Sequence, residues 1–367
     1  MAKKSGEMET LVTLGELSRF YGGKKVFITG HTGFKGAWLM AILQLAGARL
    51  KGYALAPEQA EGLFNMLGPL PNVESCIADI RDKQRLQTEL QAFRPDFVFH
   101  LAAQPLVRRS YEIPAETFDV NVTGTANVLE GVMALDCPCS VVAITTDKVY
   151  ENKETGVLYK ESDRLGGHDP YSASKACAEL VVGSFRNCFF AGKGDAKASG
   201  LASARAGNVI GGGDWSRDRI IPDITRALIA GQSVEVRNPA SVRPWQHVLE
   251  PLGGYLRLGI LLHTDPKRYS QPYNFGPLAE DHLSVKELVE TAINTWGQGS
   301  WIDASNPDAP HEAGLLRLDI HKAGEELNWT PRLNARQAIQ WALEWYRQPA
   351  DKRKEYTFQQ IKSYFPA

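Results

Sequence analysis

Residues 24–36 read KKVFITGHTGFKG, and this stretch decides the fold. A short β-rich run, KKVFIT (24–29), stops at Gly30. Gly30, Gly33 and Gly36 then space themselves as G-x-x-G-x-x-G before AWLMAILQLAGA (37–48), whose apolar spacing predicts a helix. A chain that leaves a strand and enters a helix through glycines turns tightly and brings its backbone close to a ligand. A pyrophosphate fits there, its charge resting on the free N–H groups of the helix start. The strand before and the helix after supply the context that a chance glycine triplet lacks. Thr32 and Phe34 lie in the same loop, and Lys35 offers it a positive charge.

Downstream, RLKGYAL (49–55), VESCIADI (73–80), DFVFHLAA (96–103), SVVAITT (140–146) and GLASARAG (200–207) are short strand-like runs. Helical patterns separate them: KQRLQTELQAF (83–93), a long one over about 114–135, and another from near Tyr171. Buried strands alternating with helices imply an α/β, Rossmann-type doubly wound parallel sheet. We assign residues 20–207 to that dinucleotide-binding domain, with a return to it around 240–277. Residues 208–367 are read mostly as a smaller mixed α/β substrate-binding lobe ending in the Trp-rich helix RQAIQWALEWY (336–346).

Composition narrows the class of function. In 367 residues, 43% are hydrophobic and 23% charged, which excludes a disordered chain. Lys and Arg number 41 against 42 Asp and Glu, so no global basic field exists for nucleic acid or an anionic membrane. Apolar runs such as VVAI (141–144) fall far short of the ~20 residues that span a bilayer. The start, MAKKSGEMET, is charged where a signal peptide would be apolar, so a cytoplasmic protein is expected. The five cysteines show no ligand spacing and read as reduced, mostly buried thiols, with no metal site.

Two features bear on chemistry. Tyr171 and Lys175 form Y-x-x-x-K, and four residues apart on a helix means one shared face. A nearby ammonium favours phenolate, turning a tyrosine into a usable base. The second strand ends in Tyr53-Ala54-Leu55 with no acid for an adenosine ribose, and no Lys or Arg occurs between Gly52 and Ile80 to take a 2′-phosphate. The missing cation favours NAD over NADP.

Together GHTGFKG, DFVFHLAAQ, NVTGT with Asn121, TTDKVY, YSASK and the C-terminal LNWTPRLNARQAIQWALEWY resemble the extended short-chain dehydrogenase/reductase family over nearly the whole chain. The resemblance implies a nucleotide-sugar substrate held between two lobes. TTDKVY (145–150) is similar to the corresponding segment of sugar-nucleotide 4,6-dehydratases, with Lys148 where the dTDP-glucose enzymes carry Glu. That Thr-Asp-Lys signature, with AAQPLVRRSY (102–111), resembles the branch acting on CDP-glucose, which serves deoxysugar synthesis for surface polysaccharides. The roles implied are Tyr171 as base at the C4 hydroxyl, Thr146 on the developing carbonyl, and Lys175 holding Tyr171 and the cofactor ribose. Asp147 and Lys148 would share the elimination in one of two ways: Lys148 as base at C5 with Asp147 as acid on the departing C6 hydroxyl, or a charged Lys148 steadying the enolate while another base acts at C5.

The resemblance also implies that Asp79 and Ile80 meet adenine and that Leu101, Ala102 and Ala103 line the cofactor groove. Asn208 and Arg243 fall where relatives bind the diphosphate, Gln104 and Arg108 near the sugar, and His311 near the nucleotide. Asn121 reads as a structural polar group and Trp215 as core. Relatives pair their long helices, so the apolar face of 112–135 implies a homodimer or homotetramer. A 4-epimerase, or a dehydratase acting on a dTDP- or GDP-sugar, is the nearest alternative. From another class, an NAD-sensing scaffold would have no use for the Thr146/Tyr171/Lys175 set.

Overall fold

A computed structural model describes residues 12–153, 156–190, 199–305 and 316–367. Seven strands carry the architecture: β1 (Lys25–Thr29), β2 (Arg49–Ala54), β3 (Val73–Ile77), β4 (Phe97–His100), β5 (Ser140–Ile144), β6 (Gly200–Ala206) and β7 (Pro272–Phe275). All pair in parallel, in the spatial order β7-β6-β5-β4-β1-β2-β3. The chain therefore reverses its direction of travel between β1 and β4. Ligands of such sheets bind outside the carboxyl ends of the strands at that point.

The period-two alternation of each strand sorts its side chains onto two faces. Val26 and Ile28, Phe97 and Phe99, and Val142 and Ile144 enter one core; Phe27, Val98, Val141 and Ala143 enter the other. Helices α1 (Leu14–Tyr21), α2 (Phe34–Leu45) and α7 (Leu249–Thr264) cover the first face. Helices α3 (Lys83–Phe93), α4 (Gly124–Met133) and α5 (Pro170–Phe185) cover the second. Both faces are buried, as continuous Val- and Ile-rich strands require.

The remaining chain adds α6 (Ile220–Ile229), α8 (Val285–Trp296), α9 (Ala335–Arg347) and α10 (Arg353–Tyr364), with two-stranded ribbons. One ribbon pairs Val242–Arg243 with Leu283–Ser284, and another pairs Leu158–Tyr159 with Arg317–Leu318. Glu250 on α7 is fully buried and accepts from the backbone N–H groups of Arg332 and Leu333 and from the Tyr364 hydroxyl. That carboxylate ties the C-terminal helix to the sheet.

Three expectations need correction. The chain does not end in the Trp-rich helix, because α10 follows it and closes on α2 and α9. The long helix over 114–135 contains a π turn at Asp119–Thr123, where Asn121 is drawn inward. Of the cysteines only Cys139 is buried; Cys76, Cys137 and Cys177 are half-buried and Cys188 is exposed. Among the described residues, no helix is long and apolar enough to cross a membrane.

Candidate active site

The three loop glycines are small for different reasons. Gly30 has φ +75° and lies against the backbone of Ala102, where a Cβ would sit 2.7 Å from the amide nitrogen. Gly36 faces the Gly30 carbonyl, which a Cβ would approach to 2.1 Å. Gly33 is exposed and meets little of the protein, the nearest atom to a Cβ being the Gly30 carbonyl oxygen at 3.4 Å. It is also the N-cap of α2 and has no side chain to cover the free N–H groups. An open helix start behind a bare backbone fits an anionic ligand such as a dinucleotide pyrophosphate. Thr32 donates to the Leu55 carbonyl at 2.9 Å, and Leu101, Ala102 and Ala103 follow β4, half-buried beside the loop.

At the end of β5 the chain enters a short turn, Asp147–Val149, whose N-cap Thr146 accepts from the Lys148 amide. Thr146 also donates to Asp147 Oδ1 at 2.8 Å, and Asn208 Nδ2 donates to Oδ2 at 3.3 Å. Asp147 is buried, 3% exposed, and its carboxylate fits only because residue 207 is glycine: a Cβ there would lie 2.0 Å from it. Pro170 opens α5 behind the N-cap Asp169, which accepts from the Ser172 amide at 2.9 Å. This cap places Tyr171 in the first turn, hydrogen-bonded to Thr146. Thr146, Asp147, Tyr171 and Lys175 are thus brought to one end of the sheet.

The electrostatics differ from the sequence expectation. Burial pushes the Tyr171 phenol up to about 12, opposed by the Thr146 hydrogen bond and the charge of Arg219. Lys175 donates instead to the Ile144 carbonyl at 3.0 Å, and burial lowers it to about 8. Lys148 is exposed, so the protein alone does not desolvate it. The amine that burial lowers to about 7 is Lys35, whose charge feels Arg219, Asp147 and Lys175. The Lys35 ammonium lies 6.0 Å from the centre of the Tyr255 ring.

Other candidates separate into two groups. Asn208 touches Asp147 and holds a left-handed φ of 52°. Arg243 lies on the Val242–Leu283 ribbon beside a cleft lined by Asp147, Gln246, His282 and Arg317. Gln104, in contrast, spends its side chain internally, donating to Leu106 O and Thr117 and accepting from the Leu106 amide. These bonds brace the loop, together with Asn121, which bonds Gln104 and Ser174. Asp79 is held by Arg81 through Nε and Nη2, and Ile80 is buried against α4. Arg108 faces Asp218 at 3.2 Å, Trp215 packs edge-on against Tyr346, and His311 lies outside the described residues.

Sequence reading missed Gly207, Arg219, Gln246 and Arg317. Gly207 carried a readable signal, a glycine directly after a buried strand. The other three sit in loops and two-residue ribbons that no periodicity announces.

A parallel sheet with a glycine loop at its reversal point, and Thr, Tyr and Lys converging there, defines an extended short-chain dehydrogenase/reductase. The family model described as GDP-mannose 4,6 dehydratase matches residues 27–341, and the chain belongs to that family. A CDP-glucose 4,6-dehydratase from Salmonella typhimurium is 48% identical over 331 residues, covering 89% of this chain and 92% of its own. A dTDP-glucose 4,6-dehydratase from Streptomyces antibioticus is 28% identical over 334 residues, 88% of this chain and 92% of that one. Among solved structures, DesIV of Streptomyces venezuelae, a dTDP-glucose 4,6-dehydratase with NAD and TYD bound, superposes with TM-score 0.73 at 24% identity over 88% and 97% of the two chains. The epimerase Mth375 from Methanothermobacter thermautotrophicus reaches 0.78 at 22% identity over 95% and 97%. At these identities the structures establish the fold.

Proposed function

We propose that the chain is a CDP-glucose 4,6-dehydratase, converting CDP-glucose to CDP-4-dehydro-6-deoxyglucose and water with bound NAD. The observation that carries this reading is the buried Asp147, wedged against Gly207 and held by Thr146 and Asn208 beside Tyr171. A 4-epimerase has no step for such an acid. Similarity to the Salmonella enzyme supports the cytidine base.

Gly33, the α2 N-terminus and residues 101–103 are the groups that would hold NAD. When bound, NAD would supply a reversible store for the C4 hydride, to be returned at C6, and a positive charge at this end of the cleft. Tyr171 takes the C4 hydroxyl proton as Thr146 bonds the forming carbonyl. The 4-ketone acidifies the C5 proton, which passes to Lys148; a sugar lying over the 147–148 turn removes that amine from water. Asp147 protonates the C6 hydroxyl, which leaves as water, and Lys148 gives its proton back to C5 as the hydride reaches C6. Asn208 and Arg243 bind the diphosphate, a task for which the planar guanidinium is suited, and Arg108 lies toward the sugar.

The enzyme works in the cytoplasm as a homodimer or homotetramer, a reading supported by exposed Phe118, Met133 and Leu180 on the helices at 114–133 and α5. Leu180→Glu is expected to halve the mass measured by light scattering.

The deciding experiment incubates the protein with CDP-glucose and NAD and follows the alkali-induced near-ultraviolet absorbance of a 4-keto-6-deoxy product. The expected result is product without net NADH. UDP-, GDP- and dTDP-sugars test the base, and silence with all of them rejects the reading.

A further inference from the structure

The chemistry above leaves one buried ion pair without a role. Glu179 follows Tyr171 and Lys175 at the same four-residue step on α5, so the three share a helix face. Its side chain is 2% exposed, and its donors come from other elements. Thr145, just past β5, donates to Oε1 at 2.6 Å. On β6, Ser203 donates to Oε2 at 2.9 Å and Arg205 Nη2 to the same oxygen at 2.7 Å. Arg205 continues to the Tyr150 hydroxyl at 2.8 Å, and that hydroxyl donates to Asn274 of β7 at 2.7 Å. One carboxylate thereby links α5 to three adjacent strands, at the residue directly before Thr146 and Asp147.

Fold stability does not account for charge at this place. Buried ion pairs are often no better for stability than apolar residues of similar volume. Lys175 does account for it. Burial pushes its ammonium toward the neutral amine, and Glu179 is the anion that opposes this. The other charged or titratable groups facing the pair are Tyr171 on α5, His100 on β4, Lys35 on α2, Arg205 on β6 and Arg186 after α5. His100 is kept neutral by burial, lowered to about 3, and the remaining cations would only disfavour charge on Lys175.

We propose that Glu179 is a positioning residue: it pins the backbone ahead of Thr146 to the Tyr171–Lys175 helix face and sets its negative charge one helical turn from Lys175. The inference rests on the dehydratase reading for its kinetic readout. Removing the anion lets Lys175 lose its proton at lower pH, so the alkaline limb of activity moves to the acid side.

Glu179→Gln preserves length and an acceptor while deleting the charge. We expect kcat to fall roughly ten-fold, a fraction of a full acid–base contribution, with KM nearly unchanged. The alkaline limb should move down by about one pH unit. A folded Glu179→Gln with wild-type kcat and limb overturns the proposal. Because an uncompensated Arg205 can unfold the core, Glu179→Gln/Arg205→Met removes both charges and is judged by the same shift. If neither folds, Thr145→Val breaks the 2.6 Å hydrogen bond without touching a charge. It should lower kcat and leave the limb in place; wild-type kcat there also overturns the proposal. If the wild-type chain dehydrates no nucleotide sugar, the functional reading fails. Glu179 is then tested by NADH fluorescence titration against pH, where the variant must lose affinity at lower pH than the wild type.

Discussion

In the proposed mechanism Tyr171 and Asp147 do different work, and their surroundings differ to match. Burial pushes the phenol up to about 12, so it needs a positively charged neighbourhood to act as base. Tyr171→Phe should lower kcat by roughly 10²–10⁴-fold and leave NADH binding, followed by fluorescence, almost intact. Asp147 depends on space. Gly207→Ala would put a methyl 2.0 Å from the carboxylate, so the acid must swing away from Thr146 and Asn208. Turnover should fall at least ten-fold with the melting temperature lowered only slightly, since the clash is with one side chain; full turnover would show that Asp147 is not the acid. The catalytic residue types were legible because Y-x-x-x-K and T-D-K have defined spacings. Their electrostatics were not, because helix geometry alone could not show that Lys175 turns to the Ile144 carbonyl and that Arg219 arrives from the start of α6.

Strands and long helices announce themselves by pattern, and short ribbons do not. KQRLQTELQAF is read as a helix and forms α3, Lys83–Phe93, because its apolar residues recur at helical spacing and Asp82 caps it. The ribbon bearing Arg317 is two residues long and has no period to detect. The π turn at Asp119–Thr123 is a single widened turn inside a longer helical pattern, too short to show a period of its own. The glycine loop permits a test at this scale. Gly36→Ala meets the Gly30 carbonyl and should lower the melting temperature by several degrees, as ~1–3 kcal/mol of overpacking implies. Gly33→Ala meets no such barrier, so it should fold normally and weaken NADH binding, because a methyl enters the ligand's side of the loop. Equal stability loss in both variants would mean that Gly33 serves the chain and not a cofactor.

At the scale of the whole molecule, the Glu250 clamp couples folding to pH. Burial outweighs its three donors and pushes the carboxyl up to about 7. The unfolded chain releases that proton near the ordinary glutamate value of about 4.3. Across the interval the folded form binds more protons, so the Glu250 contribution falls as pH rises from that value to about 7, and is constant above it. Buried His31, His100 and His247, lowered to about 4, 3 and 3, contribute the opposite slope over this interval. The melting temperature of Glu250→Gln relative to the wild type should therefore climb between these limits; an unchanged difference would place the titration elsewhere.

The seventh strand carries a further consequence. β7 is the end strand of the sheet, beside β6, yet it is built from Pro272–Phe275, well after β6 ends at Ala206. On the ribosome, β6 emerges long before its neighbour and presents a row of unpaired backbone groups in a buried, apolar strand. Such edges recruit other chains. The nascent protein is thus most exposed to aggregation midway through synthesis, and a fragment stopped at residue 207 should collect in inclusion bodies while the full chain does not.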